Sequence, residues 1–281
     1  MIKINWKIKA LLYKVLLALK AKKILFYIQK NITKRAKIEI ENINDNWKYH
    51  LKYLKSFNTE TILEFGAGKS LEQNIFLSYQ LDKKISQMTI DTSHMLDIKY
   101  FNQANKQISQ ILNVEKKPFV KSLEEIKKNY NIDYLAPCSI EKIKGDNYIF
   151  DACISTATLE HLPKEELEKL FINLKDIVKK NGIISSLIDY SDHYSHTDNK
   201  IGPLNFLKFD ESEWRKYNND YLFQNRLRHQ DYRKMFLSIG YEIVEEKKGN
   251  IANPPKKISN KFNSDSDETF ILWGQYVLKN I

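Results

Sequence analysis

Thr61-Ile62-Leu63-Glu64-Phe65-Gly66-Ala67-Gly68-Lys69-Ser70-Leu71 is the stretch around which the rest of the chain is organised. A short β-type run carrying an acidic residue is followed at once by two glycines spaced G-x-G. Glycine there lets the backbone take φ > 0, or lets a ligand lie against the chain where a Cβ would collide. Ser70 is a candidate helix cap, and residues 71–77 are compatible with a helix. The order predicts strand, glycine loop and helix N-terminus, a cradle of the nucleotide-binding type.

Two ligands use such a cradle. The dinucleotide fingerprint G-x-G-x-x-G puts pyrophosphate over the helix N-terminus and wants a third small residue for close packing. Here that position is Leu71. Glu64, two positions before the first glycine, suits a ligand with an ammonium or sulfonium group better than a pyrophosphate.

Downstream, residues 87–90 read as a strand ending at Asp91, 27 positions after Glu64. That is about where α/β folds place the carboxylate that holds a ribose diol; capping the next segment is the alternative. Residues 97–112 are helical, 113–131 read as a charged connector without a site, and 132–135 form a short strand before Cys138-Ser139. Residues 148–155 are an apolar run of the buried parallel type, leading into Thr156-Ala157-Thr158-Leu159-Glu160-His161-Leu162. A helix over 165–179, stopped by Asn181-Gly182, precedes a fifth strand over 182–188. That strand delivers Asp189-Tyr190-Ser191-Asp192-His193-Tyr194-Ser195-His196 to the sheet edge where α/β folds bind ligands. A helix ending at Gly240 and strands over 241–247 and 270–278, with an irregular excursion over 250–267, complete five β/α units and a closing strand pair. The fold class is α/β.

At 281 residues the chain holds one large domain, assigned to 43–281, and an appendage, 1–42. Two cysteines, Cys138 and Cys153, argue for neither a disulfide framework nor a zinc site and fit a reducing, cytoplasmic setting. The net charge of +10 is concentrated at one end: residues 1–37 contain eleven Lys/Arg and no acid, whereas 38–281 contain 34 against 35 Asp/Glu. A near-neutral body gives no nucleic-acid footprint. Ile4, Ile8, Leu11, Leu12, Val15, Leu16 and Leu19 recur as a helical stripe, and lysines interrupt every apolar run. The segment therefore reads either as a helical cap on the main domain or as a helix resting on an anionic membrane face, peripherally on its inner side.

Taken together, E-x-G-x-G, the acidic strand end, Phe150-Asp151 through Leu159-Glu160-His161-Leu162 and Lys180-Asn181-Gly182 resemble class I S-adenosylmethionine-dependent methyltransferases. The resemblance implies a Rossmann-like, seven-stranded, mostly parallel sheet with the last strand antiparallel, and S-adenosylmethionine as cofactor. Glu64, Gly66 and Gly68 would hold its methionine part and Asp91 its ribose, with Ser139, in place of the family's frequent acidic residue, near the adenine, and Thr156 also at the cofactor. Residues 188–196, with Asn205-Phe206-Leu207, Trp214 and Asn225-Arg226-Leu227-Arg228, look like a bacterial group that accompanies surface-polysaccharide and glycan genes. That similarity implies a sugar or glycan precursor as acceptor.

Methyl transfer is an in-line displacement in which orientation dominates, and a hydroxyl acceptor gains from a base. His193, with Asp192 and Asp189, is the candidate. His196, Arg226 and Arg228 are candidate substrate contacts, the arginines as clamps on an anionic group. A metal on Asp189, Asp192, His193, His196 and Asp198 lacks a fixed ligand spacing, and none is expected; Glu160 and His161 read as packing or helix-start residues at least as readily as catalytic ones. Competing readings are a lipid or quinone methyltransferase, a dinucleotide-binding oxidoreductase and a non-catalytic cofactor-fold protein.

Overall fold

The computed structural model describes residues 4–19, 21, 38–82 and 84–281. Most of the expected cationic segment beyond residue 21 lies outside them.

Seven strands form one sheet: β1 (Thr61–Phe65), β2 (Ser86–Ile90), β3 (Ile132–Leu135), β4 (Phe150–Thr156), β5 (Val178–Asp189), β6 (Tyr241–Lys248) and β7 (Trp273–Asn280). Their order is β3-β2-β1-β4-β5-β7-β6. The first five pair in parallel, and β7 enters between β5 and β6 antiparallel to both. This is the Rossmann-like arrangement expected. The chain builds outward from β1 to β3, then restarts on the other side of β1 with β4, so the switch point lies between β1 and β4. A ligand belongs beyond the carboxyl ends of those strands. Ala152, Cys153, Ile154 and Ser155 of β4 are all fully buried, as a parallel strand covered on both faces requires.

Helix α1 (Trp6–Ala18) packs away from the sheet. On one face, α2 (Asp45–Ser56), α3 (Glu72–Gln80), α4 (Ile98–Leu112) and α5 (Leu123–Tyr130) close a core that includes Ile62, Ile75, Phe101, Ile126 and Ile154. The other face is covered by α6 (Ile140–Gly145), α7 (Lys164–Ile177) and, after the short α8 (Glu211–Trp214), α9 (His229–Ile239), around Leu63, Cys153, Phe171, Ile184 and Phe236.

Three expectations need correction. Helix α5 lies inside the stretch read as a connector: the Ser122 hydroxyl caps it by accepting from Glu125 N–H, and Ile126 and Tyr130, one turn apart, anchor an otherwise charged segment. Helix α7 ends at Ile177, before Asn181-Gly182. Phe150 pairs with Val178 but Ala152 with Ile183, so residues 179–182 bulge outward; a Cβ on Gly182 would sit 2.6 Å from the Asp151 carbonyl oxygen.

The third correction concerns α1. Its buried face is Trp6, Lys9, Ala10, Tyr13 and Leu16. Trp6 packs among Tyr194, Phe209 and Tyr217, its backbone N–H donates to Asp198, and Lys9 Nζ reaches Thr197 Oγ1 at 3.1 Å. Most of the stripe read from the sequence faces outward: Ile8 is 62% exposed, Leu11 64% and Leu19 70%. Aromatic area decided the docking, because Trp6 and Tyr13 bury more surface than the aliphatic residues opposite. Among the described residues no helix is long and apolar enough to cross a membrane.

Candidate functional site

The glycine loop follows β1 as expected. Gly66 has φ +76°, and a Cβ there would lie 2.5 Å from Thr158 Oγ1, so glycine admits the chain that leaves β4. Gly68 has φ +78°, but a Cβ would meet nothing within 4 Å. The space over Gly68 is therefore open for a ligand to lie against the backbone. Ser70 is not the cap of α3: its hydroxyl donates to Glu72 Oε1 at 2.8 Å, while Leu71, buried and left-handed at φ +49°, occupies the cap position without a side-chain bond.

Two carboxyl groups sit beneath this loop. Glu64 is buried, accepting from Gln73 Nε2 at 2.8 Å and Asn74 Nδ2 at 2.7 Å. Burial pushes its pKa up to about 8, opposed by the Asn74 amide and reinforced by the charge of Asp91. Burial raises the pKa of Asp91, at the end of β2, to about 6, opposed by the nearby Tyr134 hydroxyl and Gly68 N–H. Its Oδ2 is buried with no partner. Among the described residues neither group has an ion-pair partner, and Asp91 Oδ2 lacks a donor as well. The first turn of α3 also carries Glu72, so an anion at this helix N-terminus would meet repulsion.

Behind Glu64 runs a chain of hydrogen bonds that the sequence did not reveal. Thr156 Oγ1 donates to Gln73 Oε1 at 2.9 Å and lies 3.0 Å from His50 Nε2, while His50 Nδ1 lies 2.7 Å from Ser185 Oγ. Complete burial holds the His50 pKa down at about 3, so the ring is neutral. Since the Thr156 proton is committed to Gln73, Nε2–H donates to Thr156 and Nδ1 accepts from Ser185. The Thr156 hydroxyl thus supports Gln73 rather than a cofactor.

A second cluster lies beyond β4 and β5. Glu160 and His161 stand on the turn after β4, and Asn225 fastens that turn by donating its N–H to the Glu160 carbonyl and its side chain to the carbonyls of Leu159 and Leu162. Glu160 is 3% exposed, and neither carboxyl oxygen has a hydrogen-bond partner. Burial pushes its pKa up to about 8, the nearby Asp189 adding to the effect. His161 Nδ1 lies 2.7 Å from the Phe223 carbonyl; burial lowers its pKa, and His193 lowers it further. His193 stacks edge-on to His161 at 4.9 Å and face-on to the exposed His196 at 5.1 Å. Its Nε2 is 3.3 Å from Asp189 Oδ2, and Gln224 holds its backbone N–H. The fold therefore brings together His193, Asp189 and His196, and adds Glu160 and His161.

Other expected site residues have structural duties. Asp192 is fully buried, its two oxygens accepting from Tyr194 N–H and Asn205 Nδ2, so it does not support a proton transfer by His193. Asp198 accepts from Trp6 and Lys200 N–H. Ser139 caps α6 by accepting from Lys142 N–H. Arg226 donates to the carbonyls of Phe206 and Phe209 and to Glu211. Arg228 donates to the carbonyls of Thr269, Tyr190 and Ile271, and burial lowers its pKa to about 10. Both guanidinium groups are buried and spent on contacts within the fold rather than presented to a substrate, with Arg226 Nε left without a partner.

No family model matches the chain. No curated protein matches it either. Solved structures of similar shape include the CurJ carbon methyltransferase, 12% identical over 84% of this chain and 54% of that one, with a TM-score of 0.48. TehB from Haemophilus influenzae is 13% identical over 91% and 66%, TM-score 0.47. An S-adenosylmethionine-dependent methyltransferase from Clostridium acetobutylicum is 13% identical over 92% and 98%, TM-score 0.45. The chain thus spans only about half of CurJ and two thirds of TehB. Identities this low leave the chemistry to be argued from the residues of this chain.

Proposed function

We propose that this protein is an S-adenosylmethionine-dependent methyltransferase acting on a hydroxyl of a sugar or glycan precursor. The observation that carries the reading is the pair of buried, pKa-raised carboxyls, Glu64 and Asp91, under an open glycine loop. A cation relieves Glu64, and a vicinal diol donates to the unpartnered Asp91 Oδ2. S-adenosylmethionine offers an ammonium, a sulfonium and a ribose diol; a dinucleotide would set pyrophosphate against Glu64 and Glu72. When bound, the cofactor supplies a methyl group on positively charged sulfur. The protein's part is to keep the acceptor in line, with Glu160, His161, His193 and Asp189 on the acceptor side. The sugar class rests on the resemblance of residues 188–228.

Thermal unfolding with S-adenosylmethionine, its demethylated product and NAD tests the cofactor. Ligand at 100 times its Kd stabilises the fold by about 2.7 kcal/mol. A response to NAD alone would sink the reading. Methyl-transfer assays with nucleotide sugars and lipid-linked sugars then test the acceptor.

A second reading, a lipid-borne acceptor, draws on one observation: the outward apolar face of α1 in a segment with eleven cations and no acid. We infer that α1 rests on an anionic membrane face, its outer residues in the headgroup layer.

A further inference from the structure

We propose that Glu160, His161 and His193 bind one divalent transition-metal cation. One potential ligand atom from each lies within 4.8 Å of the others. Both oxygens of Glu160 are buried without a hydrogen-bond partner, an arrangement that costs free energy unless a positive charge or donor completes it. The tautomer of His161 is set for ligation: with Nδ1–H donating to the Phe223 carbonyl, the Nε2 lone pair is left for a metal. Such a bond to a backbone carbonyl is the usual support of a metal-binding imidazole. The turn carrying Glu160 and His161 is itself clamped by Asn225.

The donor set selects the ion. Two imidazoles and one carboxylate suit zinc, cobalt, iron or nickel rather than magnesium or calcium, which favour oxygen. Bond lengths of about 2.1 Å place tetrahedral ligand atoms about 3.4 Å apart, so binding draws the three side chains inward by about an ångström. His193 stands on the loop beyond β5, so the ion would tie that loop to the turn after β4.

The site does not depend on the cofactor reading, but its use does. A cation here lowers the pKa of an acceptor hydroxyl. The hydroxyl proton leaves to water; the oxygen then bonds to the methyl carbon while the carbon–sulfur pair stays on sulfur. His193 is then a ligand, not a base.

Tag-free, full-length protein stripped with a chelator and titrated with Co²⁺ tests the proposal. One equivalent should bind, with the visible absorption of a nitrogen- and oxygen-ligated ion, and Zn²⁺ should displace it. Glu160→Gln and His193→Ala should each weaken binding at least tenfold, while the thermal response to the demethylated cofactor shows that each variant is folded. His193 lies on a partly exposed loop, so its variant serves if Glu160→Gln fails to fold. Binding below one equivalent, or binding that survives either folded variant, overturns the site. Loss of the site with a retained cofactor response leaves the methyltransferase reading standing; Co²⁺ binding without any cofactor response does the reverse.

Discussion

At Asp91 one carboxylate oxygen is buried and has no hydrogen-bond partner. Asp91→Asn should weaken S-adenosylmethionine binding by roughly tenfold to a hundredfold, about 1.5–3 kcal/mol for a hydrogen bond to a charged group, measured by calorimetry. Only the ionised carboxylate accepts from both ribose hydroxyls, so wild-type affinity should rise with pH through about 6 and then level. The variant should lack that rise. Glu64 gives a prediction of opposite sign, on stability. Its folded pKa of about 8 lies above the ordinary 4.5, so the folded protein keeps a proton that the unfolded chain releases. That stabilisation is complete below about 4.5 and is lost as pH rises through about 8, on the order of a few kcal/mol. Thermal melts of Glu64→Gln between pH 5 and 8.5 should therefore show a flatter profile than wild type; an unchanged slope would assign the pH dependence elsewhere. Gly66, Gly68 and Asp91 were readable because backbone freedom and a strand-end acid are local properties. The protein partners of Thr156 and Ser139, Gln73 and a helix turn, were not readable because a hydroxyl's partner is settled only by the fold. His50 carries no sequence signal at all, being one polar residue on the inner face of α2.

Helix α1 offers two faces with different tests. Trp6→Ala should destabilise its docking on the 194–221 region by about 3 kcal/mol, since the indole is buried among three aromatic rings. Leu11→Glu with Val15→Glu should leave the melting temperature within about 2 °C, as exposed substitutions do. The same pair should abolish salt-sensitive sedimentation with anionic liposomes. If the double variant still sediments, the outer face of α1 is not the contact. The sequence showed the helix but not its orientation, because a segment with apolar residues on most sides has no unique stripe. Helix α5 escaped notice for the converse reason: in Leu123-Glu124-Glu125-Ile126-Lys127-Lys128-Asn129-Tyr130 its core anchors are only Ile126 and Tyr130, too few to set a period.

Over the whole molecule, Arg228 joins the end of β5 to the segment before β7 through three backbone carbonyls. Arg228→Leu should cost about 3–5 kcal/mol in denaturant unfolding, since those carbonyls lose their donor in the interior. A substrate clamp would instead raise KM and leave the unfolding midpoint unchanged. The sheet itself was legible almost in full, since buried parallel strands and their glycine and acidic endings repeat at readable intervals. The region between β5 and α9 was not: Phe206, Trp214 and Tyr194 form a separate cluster whose partners come from α1, nearly two hundred positions away.

The position of β7 has a consequence for synthesis. The strand that lies beside β5 is the last to be made, 84 residues after Asp189, and β6 has no place in the sheet until β7 arrives. At roughly 5–20 residues per second, the edge of β5 stays unpaired for about 4–17 s on the ribosome. Ile183, Ile184 and Ile188, all buried in the finished protein, lie along that edge. The nascent chain therefore passes through a window in which a chaperone or a second nascent copy can pair where β7 belongs.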